Sequence, residues 1–174
     1  YGRCGEHLPA EVSINAYLVH TGSQLVLVDT GAGRLFGERG GGELAEAIEQ
    51  AGYSVDQIGT VLLTHVHADH SGGLTIDGQR VFENTVVHVA EAERQHWFSA
   101  EDEANAPAHR QHSFPQGRAS LAPYIEAGRL KAFSGRTELL PGITAIPAPG
   151  HTPGHTLYEL HSAGQRLVVW GDIV

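Results

Sequence analysis

Runs of apolar residues alternate with polar breaks along the first third of the chain, and their periods predict two strands and a helix. Ile14–His20 and Gln24–Val28 are apolar enough for strands, and the turn residues Thr21-Gly22-Ser23 between them indicate a hairpin. Within Glu43–Ala51 the apolar positions follow the i, i+3, i+4, i+7 spacing of a helix. The glycine-rich segment 31–42 is expected to be a loop.

The next apolar segments continue in the order strand, helix, strand. Val61–Leu63 is a short apolar run typical of a buried strand, and Val86–Val89 is another. Glu91–Phe98 is predicted to be a helix because its first turn carries acidic residues, which the helix dipole favours there. This order predicts a mixed α/β fold.

The pattern weakens between Ser99 and Pro115, where charged residues and prolines occur with little periodicity. This stretch is interpreted as a surface excursion, which is either a lid beside a site or, more simply, a solvated loop. Beyond it, Pro123–Ala127 is predicted to be a short helix. Four further segments are expected to be strands, the last two paired across His161–Arg166: Leu130–Phe133, Ile143–Ile146, Leu157–Leu160 and Leu167–Trp170.

The run Thr64–His70 places four potential metal ligands within six residues, directly after an apolar stretch. If the strand continues through this run, His65 and His67 point to the same face and can bind one ion. Asp69 and His70 then lie beyond the strand and can hold a second ion close to the first. The run is therefore predicted to form a two-metal site.

Two downstream segments add candidate ligands at expected strand ends. His151 lies in the turn Pro149–His155, which is rich in glycine and proline, and Asp172 follows Leu167–Trp170. Imidazole and carboxylate groups suit zinc, and also Mn, Fe, Co or Ni. A lone histidine usually just packs and hydrogen-bonds, but such a cluster at strand ends is hard to explain by packing, because unpaired polar groups cost stability.

These segments resemble the metallo-β-lactamase-fold hydrolase superfamily, and the resemblance spans nearly the whole chain. It rests on His65-x-His67-x-Asp69-His70 with the following Ser71-Gly72-Gly73, on Leu27–Gly31, on Gly150–His155 and on Gly171-Asp172. The resemblance implies an α/β fold, a four-layer αββα sandwich with the metals at one edge of its two sheets.

Carried over by position, the resemblance implies two Zn²⁺ ions per chain. The first is expected on His65, His67 and His151, and the second on Asp69 and His70, with Asp172 bridging the two. Asp29 is expected to be buried beside the site without binding metal, although an aspartate that stabilises a turn fits it nearly as well. His155 is expected to orient a ligand, or else to hold backbone groups of its turn.

The resemblance also predicts that residues 1–174 form a single domain lacking N-terminal strands and a C-terminal region. Two-metal enzymes of the superfamily supply a further histidine to the second ion from a strand well beyond the bridging aspartate. That final ligand is expected to lie past Val174, outside this sequence.

The amino-acid composition limits which binding partners and which kinds of metal site are expected. The net charge is −9, from 11 basic and 20 acidic residues, which argues against a nucleic-acid partner. No segment approaches the roughly 18 apolar residues of a membrane span, so a soluble protein is expected, in the cytoplasm or the periplasm. Cys4 is the only cysteine, which excludes an internal disulfide and a zinc site of several thiolates.

The predicted reaction is hydrolysis of a small molecule by a hydroxide that bridges two metals, with Asp69 as the catalytic orienting group. The resemblance implies that Asp172 bridges the two metals. True β-lactamases of the superfamily depart from an aspartate at this position, so an antibiotic substrate is not expected. The pattern is closest to the methyl parathion hydrolase and lactonase branch, which implies a lactone, ester or phosphotriester substrate. Trp97 and Phe98 are candidates for an apolar substrate pocket, although aromatic residues near a helix end are more often core.

Two other functions fit the same ligands. One is a non-heme iron oxidoreductase of the same fold, as in the persulfide dioxygenase and flavo-diiron branches, and the identity of the bound metal separates it from a zinc hydrolase. The other is a degenerate, non-catalytic metal-binding protein, which the missing final ligand suggests. A homodimer is compatible with each of these functions.

Overall fold

The computed structural model describes residues 13–37 and 42–173, so the interpretation of Cys4 lies outside the described residues. The strands are β1 Tyr17–His20, β2 Leu25–Val28, β3 Ile58–Leu62, β4 Thr75–Ile76, β5 Gln79–Arg80, β6 Val86–Ala90, β7 Leu130–Phe133, β8 Thr137–Leu140, β9 Ile143–Pro147, β10 Thr156–Ser162 and β11 Gln165–Val169. The α-helices are α1 Leu44–Gln50, α2 Ala68–Ser71, α3 Glu91–Trp97, α4 Ala100–Asn105 and α5 Ser113–Glu126. Short 3-10 turns cover Val55–Gln57 and Gly72–Leu74.

The first sheet has five strands in the order β1-β2-β3-β6-β7. β1 and β2 form the predicted hairpin, whereas β2, β3, β6 and β7 run parallel to one another. Every residue of β2 is buried, as expected for a strand covered on both faces. Leu25 and Leu27 belong to one apolar core, and Val26 and Val28 belong to the other, because side chains alternate along a strand.

The second sheet is antiparallel, with strand order β11-β10-β9-β8, and it packs against the first. The predicted pairing of its last two strands is confirmed, with Leu160 opposite Leu167. Tyr158 is fully buried between the sheets, and its hydroxyl donates a hydrogen bond to the carbonyl oxygen of Leu63 at 2.7 Å. This bond joins β10 to the segment that leads into the histidine cluster.

The other face of the first sheet is covered by helices. α3 contacts β6 and β7, α5 contacts β7, and together they bury Trp97, Phe114, Leu121 and Tyr124. Among the described residues, α3 and α5 lie on the face of the first sheet that points away from the second sheet, so the layers follow the order helix, sheet, sheet. No helix within residues 13–37 and 42–173 is both long and apolar enough to cross a bilayer.

The structure corrects the predicted path of the chain through the histidine motif. β3 ends at Leu62, so the strand does not continue through His65 and His67, and the alternation argument for their common direction was wrong. His67 instead occupies the N-cap position of the short helix α2, which contains Asp69 and His70. The histidines meet because the chain bends here.

The structure also corrects the region from Ser99 to Ala127. The segment predicted as a loop contains α4, whose first turn is capped by the Ser99 hydroxyl accepting from the Asp102 N–H at 3.1 Å. The predicted short helix from Pro123 is only the last part of α5. Pro115 is tolerated because it lies in the first turn of α5, where a backbone N–H has no helical partner.

Smaller differences concern strand ends and three missed strands, which are the short antiparallel pair β4 and β5 and the longer strand β8. β1 begins at Tyr17, three residues after the predicted start at Ile14. β8 was not predicted, since Thr137–Leu140 has only two apolar residues and follows the turn at Gly135. It pairs with β9 through a register shift between Glu138 and Leu140.

The apolar core between the two sheets stabilises the strands whose ends carry the histidines. Leu62 is fully buried in this core, so Leu62→Ala is expected to lower the free energy of unfolding by about 2–5 kcal/mol. Leu167→Ala, at a side chain that is 56% exposed on β11, is the control and should change it by no more than about 0.5 kcal/mol. Urea unfolding of both variants measures the difference, and equal losses would contradict this packing.

Candidate metal centre

The candidate ligands come from segments that begin or end strands at one edge of the two sheets, and two of them, Asp69 and His70, lie on the short helix α2. The Thr64–His70 segment follows β3, the turn ending at His155 precedes β10, and Asp172 follows β11. A backbone bond from the Thr156 N–H to the Thr64 carbonyl oxygen, 2.9 Å long, holds the start of β10 against the end of β3. The fold therefore brings together segments that are about 90 residues apart in the sequence.

Three imidazole rings converge in the first group, which consists of His65, His67 and His151. His67 Nδ1 lies 3.0 Å from His65 Nε2 and 2.9 Å from His151 Nε2. Nitrogen atoms that share a tetrahedral zinc at about 2.0–2.1 Å lie roughly 3.3 Å apart, so the spacing is close to that of a ligand set.

The second group consists of His65, His70 and Asp172, so His65 lies in both groups. His70 Nε2 is 3.3 Å from Asp172 Oδ1 and 3.6 Å from Asp69 Oδ2. The other oxygen of Asp172, Oδ2, is 3.5 Å from His151 Nε2. Asp172 thus directs one carboxylate oxygen to each group of histidines.

The electrostatics of the first group favour a cation. Burial, together with the neighbouring histidines, lowers the pKa of His65 far below its usual range. Burial and His151 lower the pKa of His67 to about 4, against the opposing charges of Asp69 and Glu93. Both rings are therefore neutral at pH 7 and offer nitrogen lone pairs at the point where the rings meet. Neutral imidazole is the form that binds metal, so the residues present fit zinc.

Asp29 fixes the orientation of His70. Its backbone has φ +57, its side chain is buried, and its carboxylate accepts hydrogen bonds from the backbone N–H and the hydroxyl of Thr64, both at 2.8 Å. His70 Nδ1 lies 2.8 Å from Asp29 Oδ2. Burial alone would lower the pKa of His70, but the hydrogen bond and charge of Asp29, with Asp69 and Asp172, raise it. With Nδ1 bonded to Asp29, Nε2 is directed toward Asp69 and Asp172.

His155 holds the backbone of Asp172. Its Nε2 accepts a hydrogen bond from the Asp172 N–H at 3.0 Å, and burial, with the neighbouring His151, lowers its pKa, which suits this neutral acceptor role. Gly171 makes the close approach possible, because it has φ +59 and a Cβ there would lie 2.6 Å from His155 Nε2. The ring therefore contacts a candidate ligand rather than only its own turn.

A cavity of about 860 Å³ opens beside His67 and His151. Trp97 is 3% exposed, lines this cavity and lies edge-on to His67 with ring centroids 5.3 Å apart. Phe98 is 39% exposed and lies outside the cavity lining. The segment interpreted as an excursion contributes much of the wall, so it borders the site as the lid interpretation expected, but as helices and turns.

The structure adds one residue that the sequence did not single out for the site. Glu93, on α3, is buried and accepts hydrogen bonds from the backbone N–H groups of Val66 and Gly154. In the sequence it is one of the acidic residues that mark a helix start, and no local signal connects it to segments 27 and 61 residues away. All six candidate ligands, by contrast, lie at the site: His65, His67, Asp69, His70, His151 and Asp172.

Comparison with known proteins places this arrangement in a family. A sequence profile of the metallo-beta-lactamase superfamily matches residues 9–174. An N-acyl homoserine lactonase from Bacillus sp is 27% identical over 127 residues, which are 72% of this chain and 42% of that protein. Among solved structures, the hydrolase AbOPH of the beta lactamase superfamily has a TM-score of 0.85 at 35% identity, covering 91% of this chain and 55% of that one.

A second solved structure is AidC, a dizinc quorum-quenching lactonase in complex with the product N-hexnoyl-L-homoserine. Its TM-score is 0.75 at 28% identity, covering 87% of this chain and 53% of AidC. The chain thus spans about half the length of these relatives. The profile match covers far more than half of the chain, and the two-sheet architecture with its histidine edge agrees with it. The chain belongs to the metallo-beta-lactamase superfamily and has its fold.

Proposed function

We propose that this chain carries the metal site of a dinuclear zinc hydrolase that cleaves a lactone, an ester or a phosphotriester. The observation that carries the proposal is the convergence of the His65, His67 and His151 nitrogens beside Asp172, which also faces His70. Imidazole and carboxylate donors suit zinc. Membership of the superfamily and the lactonase and hydrolase names of the relatives support the same class of reaction.

In this proposal, two ions are bound by six side chains. His65, His67 and His151 hold the first ion, Asp69 and His70 hold the second, and Asp172 binds both. When bound, zinc lowers the pKa of water toward neutrality and polarises the scissile carbonyl or phosphoryl oxygen. The dizinc description of AidC supports zinc as the metal.

Asp69 is the proposed catalytic residue. Its side chain is 35% exposed, its Oδ2 lies 3.6 Å from His70 Nε2, and it lines an open cavity together with His70 and Asp172. It orients the attacking water, accepts its proton and returns a proton to the leaving group. Asp29 and His155 keep His70 and Asp172 in position, since metal-binding side chains need such outer partners.

The cavity next to His67 and His151 is the proposed substrate cleft. Trp97 and Phe114 supply an apolar wall, with ring centroids 5.0 Å apart, that fits an acyl chain or an aryl group. Phe98 is not part of this proposal, because its ring lies outside the cavity lining. The substrate is thus a small molecule with an apolar part and a scissile ester-like bond.

A turnover screen tests the proposed reaction. The purified protein, stripped of metal and reloaded with either zinc or iron, is assayed with an acyl-homoserine lactone, an aryl ester and a phosphotriester. We expect hydrolysis of at least one substrate with zinc, and none from the metal-free protein. Bound iron with no hydrolysis would support the oxidoreductase instead, and neither bound metal nor turnover would support a degenerate binding protein.

A further inference from the structure

We propose that Glu93 is a positioning residue that ties together the two loops carrying the first three metal ligands; this inference rests on the proposed metal site. The Glu93 side chain is 1% exposed. Its Oε2 accepts hydrogen bonds from the Val66 N–H at 3.0 Å and from the Trp97 indole N–H at 2.7 Å. Its Oε1 accepts from the Gly154 N–H at 2.8 Å. Each carboxylate oxygen therefore holds a different loop.

The two backbone donors flank the proposed ligands. Val66 lies between His65 and His67, and Gly154 lies three residues after His151. The carboxylate therefore fixes the backbone between His65 and His67 and the backbone of the turn that carries His151. The bond between Thr156 and Thr64 joins the loops at their edge, whereas Glu93 joins them beside the histidines.

The loop around Gly154 packs directly on the start of α3. A Cβ at Gly154 would lie 2.5 Å from the Glu93 backbone nitrogen and 2.9 Å from its Cγ, so no larger residue fits without a shift. This contact leaves no space for water between the turn and Glu93. Beside the histidines, the Glu93 carboxylate therefore spans the gap between the two loops.

The hydrogen-bond pattern requires a carboxylate. Three N–H groups donate to it, and a carboxylate has acceptor sites on both oxygens. Glutamine has the same shape but only one oxygen, so its NH₂ group would face either the Val66 or the Gly154 N–H. Glu93→Gln therefore releases one loop while keeping the volume of the side chain.

The test measures zinc affinity with a competing chromogenic chelator. We expect Glu93→Gln to weaken zinc binding at the tighter site by about 10–100-fold, which is typical when a partner of metal ligands is lost. Glu91→Gln is the matched control, since it makes the same change two residues away, where the carboxylate pairs with Arg94. The control should bind zinc with wild-type affinity.

The thermal stability of the metal-free variants separates positioning from a purely structural role. A structural role alone predicts a lower melting temperature with unchanged zinc affinity, and that result would overturn the proposal. If Glu93→Gln fails to fold, Glu93→Asp is measured instead. It keeps the charge but is one methylene too short to reach both loops, and wild-type affinity in it would also overturn the proposal. Absence of metal binding in the wild-type protein would instead refute the proposed function.

Discussion

His151→Ala is expected to lose the first metal ion and to reduce turnover by about 10³-fold or more, because the metal supplies several kcal/mol of transition-state stabilisation. Among the three histidines of the first group, only His151 lies in the turn before β10. Its Nε2 lies 2.9 Å from His67 Nδ1 and 3.5 Å from Asp172 Oδ2. Without it, two imidazoles remain in the first group and the Asp172 carboxylate loses one neighbour. Zinc content and turnover are measured on the same preparation.

The control for this variant is His161→Ala. His161 is an exposed histidine of β10 that pairs with Glu159, and it lies outside both ligand groups. It should retain wild-type zinc content and turnover. Because the His151 side chain is 35% exposed, its removal leaves no large cavity, and circular dichroism should show an unchanged fold. Full zinc content in His151→Ala would contradict the assignment of His151 as a ligand.

Asp69→Asn is expected to keep the first metal ion and to lose turnover by about 10²–10⁴-fold, the usual contribution of an acid–base group. Asparagine has the same shape as aspartate but no charge, so it holds the second ion weakly and cannot accept a proton from water. The first three ligands are untouched by the change. Zinc counting and steady-state kinetics at saturating zinc measure the two effects separately.

Asp77→Asn is the control for the charge change. Asp77 lies in an exposed turn with φ +51, a backbone conformation that asparagine also tolerates. Its carboxylate lies 3.9 Å from the Arg34 guanidinium at the surface. Zinc content and turnover should stay at the wild-type values. If the Asp69→Asn variant still binds two zinc ions and hydrolyses substrate at the wild-type rate, the catalytic role of Asp69 is refuted.

Local patterns in the sequence predicted those parts of the fold that depend on neighbours along the chain. The β1-β2 hairpin and the β10-β11 pair were predicted because each has a short turn between two apolar runs. The helix α5 was misjudged because prolines at 115 and 123 suggested breaks. Tertiary packing outweighs that local signal, since Phe114, Leu121 and Tyr124 are buried against the sheet.

The ligands of the candidate site were predictable because most of them are crowded into one motif. The predicted geometry was wrong, however, because the chain leaves the strand at Leu62 and bends before His65. Glu93 could not be predicted, because its partners Val66 and Gly154 come close to it only in the folded protein. Asp29 and His155 also support the site through long-range hydrogen bonds, but the family resemblance pointed to them, whereas no motif pointed to Glu93.

The number of zinc ions bound per chain tests the central claim most directly. The metal-free protein is equilibrated with excess zinc, freed of unbound metal, and analysed for zinc and for protein. The ligand geometry predicts two ions per chain in the wild-type protein and one in Asp69→Asn. A single ion in the wild-type protein, or an unchanged count in both His151→Ala and Asp69→Asn, would contradict the two-metal site.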